Sequence, residues 1–185
     1  MSAEHNDNNN SILKIALNLA FACILSGIII GLVYFFTADI AKQKQIELQN
    51  LALQSLVQGA DKYTPIAGKP GCYTATKAGD LIAYIVPAES KGYAGAVKLL
   101  VAVSPDNKVL KYTIIESKET PGLGDKAAKS PFIDQFPGKN AGELTVDKDG
   151  GTIQAISGAT ITSRAVTKAV KLAVEEAATI TKGGK

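Results

Sequence analysis

Four hydroxyl side chains fall within seven residues in Ser157-Gly158-Ala159-Thr160-Ile161-Thr162-Ser163. The segment joins a predicted strand to a predicted helix, and its small residues let a backbone approach a ligand closely. A helix N-terminus offers free amide N–H groups and the positive end of the helix dipole. Hydroxyls placed there make an anion site, for which phosphate is the usual occupant. The plainer alternative is a helix cap, in which Thr162 or Ser163 accepts from first-turn amides and binds nothing. Four hydroxyls exceed what one cap requires. A second segment, Glu116-Ser117-Lys118-Glu119-Thr120-Pro121-Gly122-Leu123-Gly124-Asp125-Lys126, follows a predicted strand and sets Pro121, Gly122 and Gly124 in a tight turn. It either presents Thr120 and the backbone to a flat ligand or is an ordinary surface loop.

The rest of the composition supplies little other chemistry. The 185 residues include one His, two Cys and no Trp. Two Cys cannot build a Cys-ligated iron–sulfur cluster or a four-Cys zinc site. The single His5 lies in a polar N-terminal stretch, which argues against Ser-His-Asp or Cys-His catalysis and against a His-ligated metal or haem. No metal site is therefore expected. A net charge of +3 is too small and too dispersed for nucleic acid. Redox or transfer chemistry must use a bound organic cofactor, or plain hydroxyl and carboxylate groups.

The elements that position these segments are legible in outline. Tyr73–Lys77 and Leu81–Val86 flank Ala78-Gly79-Asp80, a predicted hairpin. Ala96–Ser104 and Val109–Glu116 flank Pro105-Asp106-Asn107, a second. Leu144–Asp147 and Thr152–Ile156 flank Lys148-Asp149-Gly150-Gly151, a third. A final helix is predicted from about Ser163 to Ala178, with Ala165, Val166, Ala169, Val170, Leu172 and Ala173 for packing. Residues 117–143 show no clear periodicity. The fold class is α+β: antiparallel strands with packed helices in one domain, residues 60–185. Cys72 has no Cys partner within it.

Ahead of that domain the apolar residues are concentrated. Ile15 to Ala38 is an uncharged run of 24 residues, against roughly 20 needed for a helix to cross a bilayer. Tyr34, Phe35 and Phe36 suit an interface. A signal-peptide apolar region normally spans about 7–15 residues, so the run reads as an uncleaved anchor over residues 12–38. Residues 1–11 are polar and expected to be disordered. Residues 39–59 have helix-forming composition, with Leu48, Leu51, Ala52 and Leu56 as a stripe and Gly59 as a stop. Gly27 and Gly31 form a GxxxG that admits another membrane helix. Lys14 before the run, and Lys42 and Lys44 after it, slightly favour a cytoplasmic domain on charge.

The order ETPGLGDK then SGATITS, behind one membrane span, resembles an FMN-binding domain shared by two membrane complexes. These are the Rnf electron-transport complex, in its G subunit, and the sodium-pumping NADH:quinone reductase, in its C subunit. The resemblance runs through GYAGAVKLLVAVSPDNKVLKYTIIESKETPGLGDK and SGATITSRAVTKAVK, over roughly residues 91–172. The short chain looks like the Rnf protein rather than its longer relative. The resemblance implies FMN joined by a phosphoester to Thr160, installed by a separate flavin transferase from FAD with Mg²⁺. Carried over, Ser157, Gly158 and Ala159 shape the phosphate site, Thr162 and Ser163 are candidates to hydrogen-bond the phosphate, and Thr120, Gly122 and Leu123 are candidates to touch the isoalloxazine ring. It also implies other membrane subunits as partners and a single-pass protein of the bacterial inner membrane. Its domain would be periplasmic, against the charge count. Family members often carry an acid shortly before SGAT; here Gln154 stands three residues before Ser157, and the nearest upstream acid is Asp149.

The expected activity is an electron relay inside an ion-translocating ferredoxin:NAD oxidoreductase, not stand-alone catalysis, since no residue looks like a substrate acid or base. A flavoprotein like the C subunit of the sodium pump and an anchored module binding a phosphorylated ligand non-covalently are the alternatives. A pilin-like protein fits poorly, because such proteins resemble one another in a Glu near the start of the apolar run.

Overall fold

The computed structural model describes residues 4–183, excluding the side chains of residues 4–11, 39–43, 45–50 and 183. The chain divides into two units, residues 1–48 and 49–185. Helix α1 (Glu4–Leu56) supplies the first unit, and its last turns belong to the second. The expected disordered stretch 1–11 lies partly outside the described residues, since α1 begins at Glu4. Within α1, Ile12–Ala38 is a stretch of 27 residues with mean hydropathy 2.5, long and apolar enough to cross a membrane. Its apolar side chains are exposed on all faces. Ser26 and Thr37 return their hydroxyls to the helix itself, donating to the Ala22 carbonyl at 2.7 Å and the Val33 carbonyl at 2.6 Å. Such internal pairing keeps a polar group compatible with an apolar surrounding.

The second unit is built on a five-stranded antiparallel sheet in sequential order: β1 (Lys62–Pro65), β2 (Tyr73–Lys77), β3 (Asp80–Lys91), β4 (Ala96–Val103) and β5 (Val109–Glu116). The first two predicted hairpins are present. Ala78 and Gly79 take φ of 51° and 95° in the β2–β3 turn, and Asn107 takes 59° in the β4–β5 turn. Two central positions at positive φ suit the right-handed twist of a two-residue hairpin. The interior strand β4 is apolar on both sides, because both faces of the sheet are covered. Val97, Leu99, Val101 and Val103 join the core that contains residues of helix α2 (Thr160–Gly183), while Leu100 and Ala102 meet Leu53, Leu56 and Val57 around the end of α1. Lys111 donates to the Ser55 carbonyl at 2.9 Å, placing a cation at that helix terminus.

The structure corrects several expectations. The third hairpin does not form. Residues 144–156 carry one parallel bridge, Val146 to Ile153, and a 3₁₀ turn at Asp147–Asp149. Asp147 Oδ1 accepts from the amides of Lys148 at 2.9 Å and Ala155 at 3.0 Å, so a side chain takes backbone donors that a ladder would need. Strand β1 is unexpected; it is short, mostly exposed and ends at Pro65, as an edge strand permits. Strand β3 runs past Val86 to Lys91. Helix α2 starts three residues before Ser163, and Leu172 faces outward while Val174 and Ala177 join the core. On α1, Ala52 and Leu56 pack as expected, Leu53 joins them, and Leu51 is exposed; the Leu48 side chain lies outside the described residues.

Residues 117–149 contain four 3₁₀ turns instead of a longer element. Phe132 and Phe136 anchor this region: Phe136 meets Tyr112 edge-on at 4.9 Å and Phe132 at 5.3 Å between ring centroids. The Tyr112 hydroxyl donates to the Ala127 carbonyl at 2.5 Å. Burial, with Asp134 contributing second, holds that phenol far above its ordinary range, so it stays a donor. This bond fixes the 3₁₀ turn Gly124–Ala128, which follows directly on the ETPGLG segment.

Candidate functional site

Three segments meet at a cavity of about 530 Å³: the β3–β4 turn at Tyr93, the loop 119–124 and the start of α2. Two of them are the segments singled out in the sequence. Their meeting is steric as well as spatial. Gly158 has φ +78°, and a Cβ there would sit 3.2 Å from Leu123 Cδ2. Glycine is thus needed twice at this position, for its backbone and for the approach of Leu123.

The start of α2 carries free backbone donors. The Ala159 carbonyl accepts from Ser163 N at 2.9 Å, closing the first helical turn. The amides of Thr160, Ile161 and Thr162 have no acceptor among the described residues. No acidic residue belongs to the first turn of this 24-residue helix; the carboxylate nearest its positive end is Glu119, which reaches in from the loop to the Thr162 hydroxyl. Thr160 is half-buried at the first position of the helix and lines the cavity.

The neighbouring hydroxyls serve the protein. Ser163 is fully buried; its Oγ accepts from Ile156 N at 2.9 Å and donates to the Ala159 carbonyl at 3.0 Å. It locks the corner between the incoming chain and the helix. The Thr162 hydroxyl lines the cavity and donates to Glu119 Oε2, which commits its proton. Ser157 is exposed and borders an adjoining cleft with Phe132 and Gln154. The Gln135 side chain clasps the Gln154 backbone, donating to its carbonyl at 3.2 Å and accepting from its amide at 2.7 Å. Asp149, the acid upstream of SGAT, is engaged one turn into α2. It receives two bonds from Arg164, at 2.8 and 2.7 Å, and the guanidinium holds its carboxyl below the usual range.

On the loop side, the Thr120 carbonyl accepts from Leu123 N at 3.2 Å and Gly124 N at 3.0 Å, and Gly122 takes φ +80°. Thr120 and Leu123 line the cavity, while Gly122 shapes the turn behind them. Of the sequence candidates, Thr120, Leu123, Gly158, Ala159, Thr160 and Thr162 come together around one space. Gly122, Ser157 and Ser163 stand outside its lining. Sequence reasoning missed Tyr93, Glu119 and Ile161, which also line it. The Gly-Tyr-Ala-Gly of the turn was the available signal for Tyr93: an aromatic between glycines at a strand end.

The donor set fits a phosphate-bearing aromatic cofactor. Thr160, Ile161 and Thr162, whose amides have no acceptor among the described residues, line the cavity together with Glu119, and Tyr93, Leu123 and Ile161 offer apolar surface around it. The volume lies within the range of about 300–1,000 Å³ for small-molecule sites.

Residues 92–175 match the FMN-binding domain family. The chain is 53% identical over 179 residues to the G subunit of the proton-translocating ferredoxin:NAD(+) oxidoreductase complex of Clostridium ljungdahlii, covering 95% of this chain and 96% of that protein. It is 34% identical over 187 residues to the G subunit of the ion-translocating oxidoreductase complex of Pseudomonas aeruginosa, at 89% and 87% coverage. It is 30% identical over 188 residues to the G subunit of the Na(+)-translocating ferredoxin:NAD(+) oxidoreductase complex of Acetobacterium woodii, at 89% and 90%. Among solved structures, the C subunit of the Na(+)-translocating NADH-quinone reductase of Parabacteroides distasonis superposes with TM-score 0.50 and 24% identity, over 60% of this chain and 61% of that one. Shewanella oneidensis NqrC gives 0.51 and 23%, over 69% and 74%. These two likenesses show a shared fold.

Proposed function

The chain belongs to the G-subunit family of Rnf-type ion-translocating oxidoreductase complexes and contains an FMN-binding domain, and on that premise we propose that it is the membrane-anchored electron relay of such a complex, holding FMN through a phosphoester to Thr160. The observation that carries this reading is the position of Thr160. Its side chain opens α2, beside three amides without acceptors, in the wall shared by both glycine-rich segments. A phosphodiester there keeps one negative charge where the helix dipole favours it.

Attachment is a group transfer. A flavin transferase with Mg²⁺ passes FMN from FAD to the Thr160 hydroxyl. The Thr160 Oγ–P bond forms, the pyrophosphate bond breaks, AMP leaves and the hydroxyl proton goes to solvent. Bound FMN supplies the electron-transfer chemistry, and the protein supplies position and electrostatics. Thr160 holds the phosphate end, the amides of Ile161 and Thr162 orient it, and Leu123 and Thr120 define the opposite wall. A covalent tether lets the ring stay close to the surface, where an electron partner can approach, because retention no longer depends on a deep pocket. The span Ile12–Ala38 anchors the chain in the bacterial inner membrane, with the domain periplasmic and other membrane subunits as electron partners.

The full chain produced with a flavin transferase should give a fluorescent band after denaturing electrophoresis, and peptide mass mapping should place FMN on Thr160. A dark band under those conditions, or FMN still attached in Thr160→Ala, overturns the ester. A dark band from protein that binds FMN in its native state supports the second reading, a non-covalent phosphate site, for which the same three free amides are suited. Reporter fusions after residue 185 in the native host check the periplasmic placement.

A further inference from the structure

Among the described residues Glu119 is the one carboxylate in the cavity wall, and it is only 8% exposed. Among the described residues it has no cationic partner; what it has is two donors from separate elements. Ala94 N in the β3–β4 turn donates to Oε1 at 3.0 Å, and the Thr162 hydroxyl in the first turn of α2 donates to Oε2. Its own amide donates to Ser117 Oγ at 3.2 Å, which bends the backbone so that the side chain points inward. Two glycines make room for it. A Cβ at Gly92 would lie 2.5 Å from Glu119 Oε1, and a Cβ at Gly124 would lie 2.5 Å from Glu119 Cβ. Neither glycine has a left-handed φ, so the backbone does not require glycine at either place. Burying a carboxylate without a counter-charge is costly, and apolar side chains of similar volume would fill such a space at less cost. The residue, its donors and its two glycines therefore form a built feature that packing alone does not explain.

We infer that Glu119 is the positioning residue of this pocket: its carboxylate clamps the turn that carries Tyr93 to the first turn of α2 that carries Thr160, and it sets a fixed negative charge against the bound cofactor. The clamp stands on the geometry of the protein; the charge effect rests on the flavin reading proposed above. Tyr93 is 71% exposed, and its turn is otherwise closed by a single bond, Gly92 N to the Gly95 carbonyl at 2.7 Å. The Glu119–Ala94 bond therefore decides where this aromatic stands relative to Thr160. Both carboxylate oxygens accept, and a fixed negative charge beside a group that gains electrons disfavours its reduction.

Two variants separate reach from charge in the full chain. Glu119→Gln keeps the length: its carbonyl oxygen accepts from Ala94 N, its amide donates to a rotated Thr162 hydroxyl, and the charge is gone. Glu119→Asp keeps the charge and loses one methylene of reach. Amide hydrogen exchange at Ala94 should accelerate roughly fivefold to tenfold in Glu119→Asp, in protein with or without flavin, and change less in Glu119→Gln. The midpoint potential of flavin-loaded Glu119→Gln should rise, corresponding to about a tenfold shift of the redox equilibrium, roughly 30 mV for a two-electron couple. Glu119→Asp should stay nearer the parent value. Unchanged Ala94 exchange in Glu119→Asp overturns the clamp. An unchanged or lower potential in loaded Glu119→Gln overturns the charge effect. If the parent protein carries no flavin, the function proposed above fails, and Ala94 exchange still decides the clamp. If Glu119→Gln does not fold, loaded Glu119→Ala replaces it for the potential, with the same upward shift expected.

Discussion

In the 157–163 segment, the hydroxyls of Thr162 and Ser163 are committed to protein acceptors, and Thr160 carries the uncommitted hydroxyl at the cavity. In the 119–124 segment the pattern differs: Glu119 is buried in the cavity wall, the exposed Thr120 uses its carbonyl to close the turn, and Leu123 adds an apolar side chain to the lining. Both segments draw on glycines and hydroxyls, and only 119–124 follows a strand, β5. The difference is the helix. In 157–163 the first turn of α2 fixes the side chains at set angles, so the Thr160 and Thr162 hydroxyls stand at the cavity, the latter already bonded to Glu119, and Ser163 faces the core. In 119–124 no helix of that length follows, and the turn is set by backbone bonds to one carbonyl. The helix end thus provides a fixed electrostatic point, and the loop provides a shaped wall.

Substitutions can break or sharpen this contrast. Thr160→Ala should have the largest effect, complete loss of covalent flavin with an unchanged melting temperature, because the helix end persists without the hydroxyl. Mass spectrometry and circular dichroism check both halves. Next, Gly124→Ala should destabilise the domain by about 2–3 kcal/mol, since its Cβ is forced onto Glu119 and the loop must move. Ser163→Ala should cost about 1–2 kcal/mol in denaturant unfolding, because it leaves the Ile156 amide without its acceptor. Equal losses for Gly124→Ala and a conservative exposed change such as Thr120→Ser would show the loop to be plastic and would end the contrast. Leu123→Ala should shift the flavin spectrum or potential without loss of flavin, and Thr120→Ala less so; unchanged spectra in both would remove the loop from the ring contacts.

The smallest effect concerns pH. The hydrogen bonds from Arg164, then its charge, hold the exposed Asp149 carboxyl below its ordinary value of about 3.9. A depressed carboxyl stabilises above its unfolded value, and that contribution is lost as pH falls through the lower folded value. Arg164→Ala should therefore lessen the acid sensitivity of the melting temperature below about pH 4 and leave it nearly flat at neutral pH.

Much of the frame was legible along the chain. The two hairpins follow from Ala78-Gly79 and Pro105-Asp106-Asn107, where local conformation alone dictates a turn. Helix α2 follows from its apolar period, although it starts earlier than that period suggests. Thr162 and Ser163, the caps of the plainer alternative, lie inside the first turn, and their hydroxyls bond to Glu119 and Ala159 instead of the helix's own free amides. The third hairpin fails for a comparable reason, with the Asp147 side chain competing for backbone donors. Strand β1 is invisible in sequence because an exposed four-residue edge needs no alternation.

Residue order by itself determined the apolar run, the turn positions, the hydroxyl-rich helix start and the scarcity of metal-binding side chains. These depend on neighbours within a few residues or on composition. The tertiary structure alone decided that Glu119 spans from Ala94 to Thr162 and that Gly92 and Gly124 leave room to admit it. Those partners are 25 and 43 residues away from Glu119 in the chain. They become neighbours only because the antiparallel sheet brings the β3–β4 turn and the exit of β5 to the end where α2 begins, and a buried carboxylate takes whatever donors that folding places within reach.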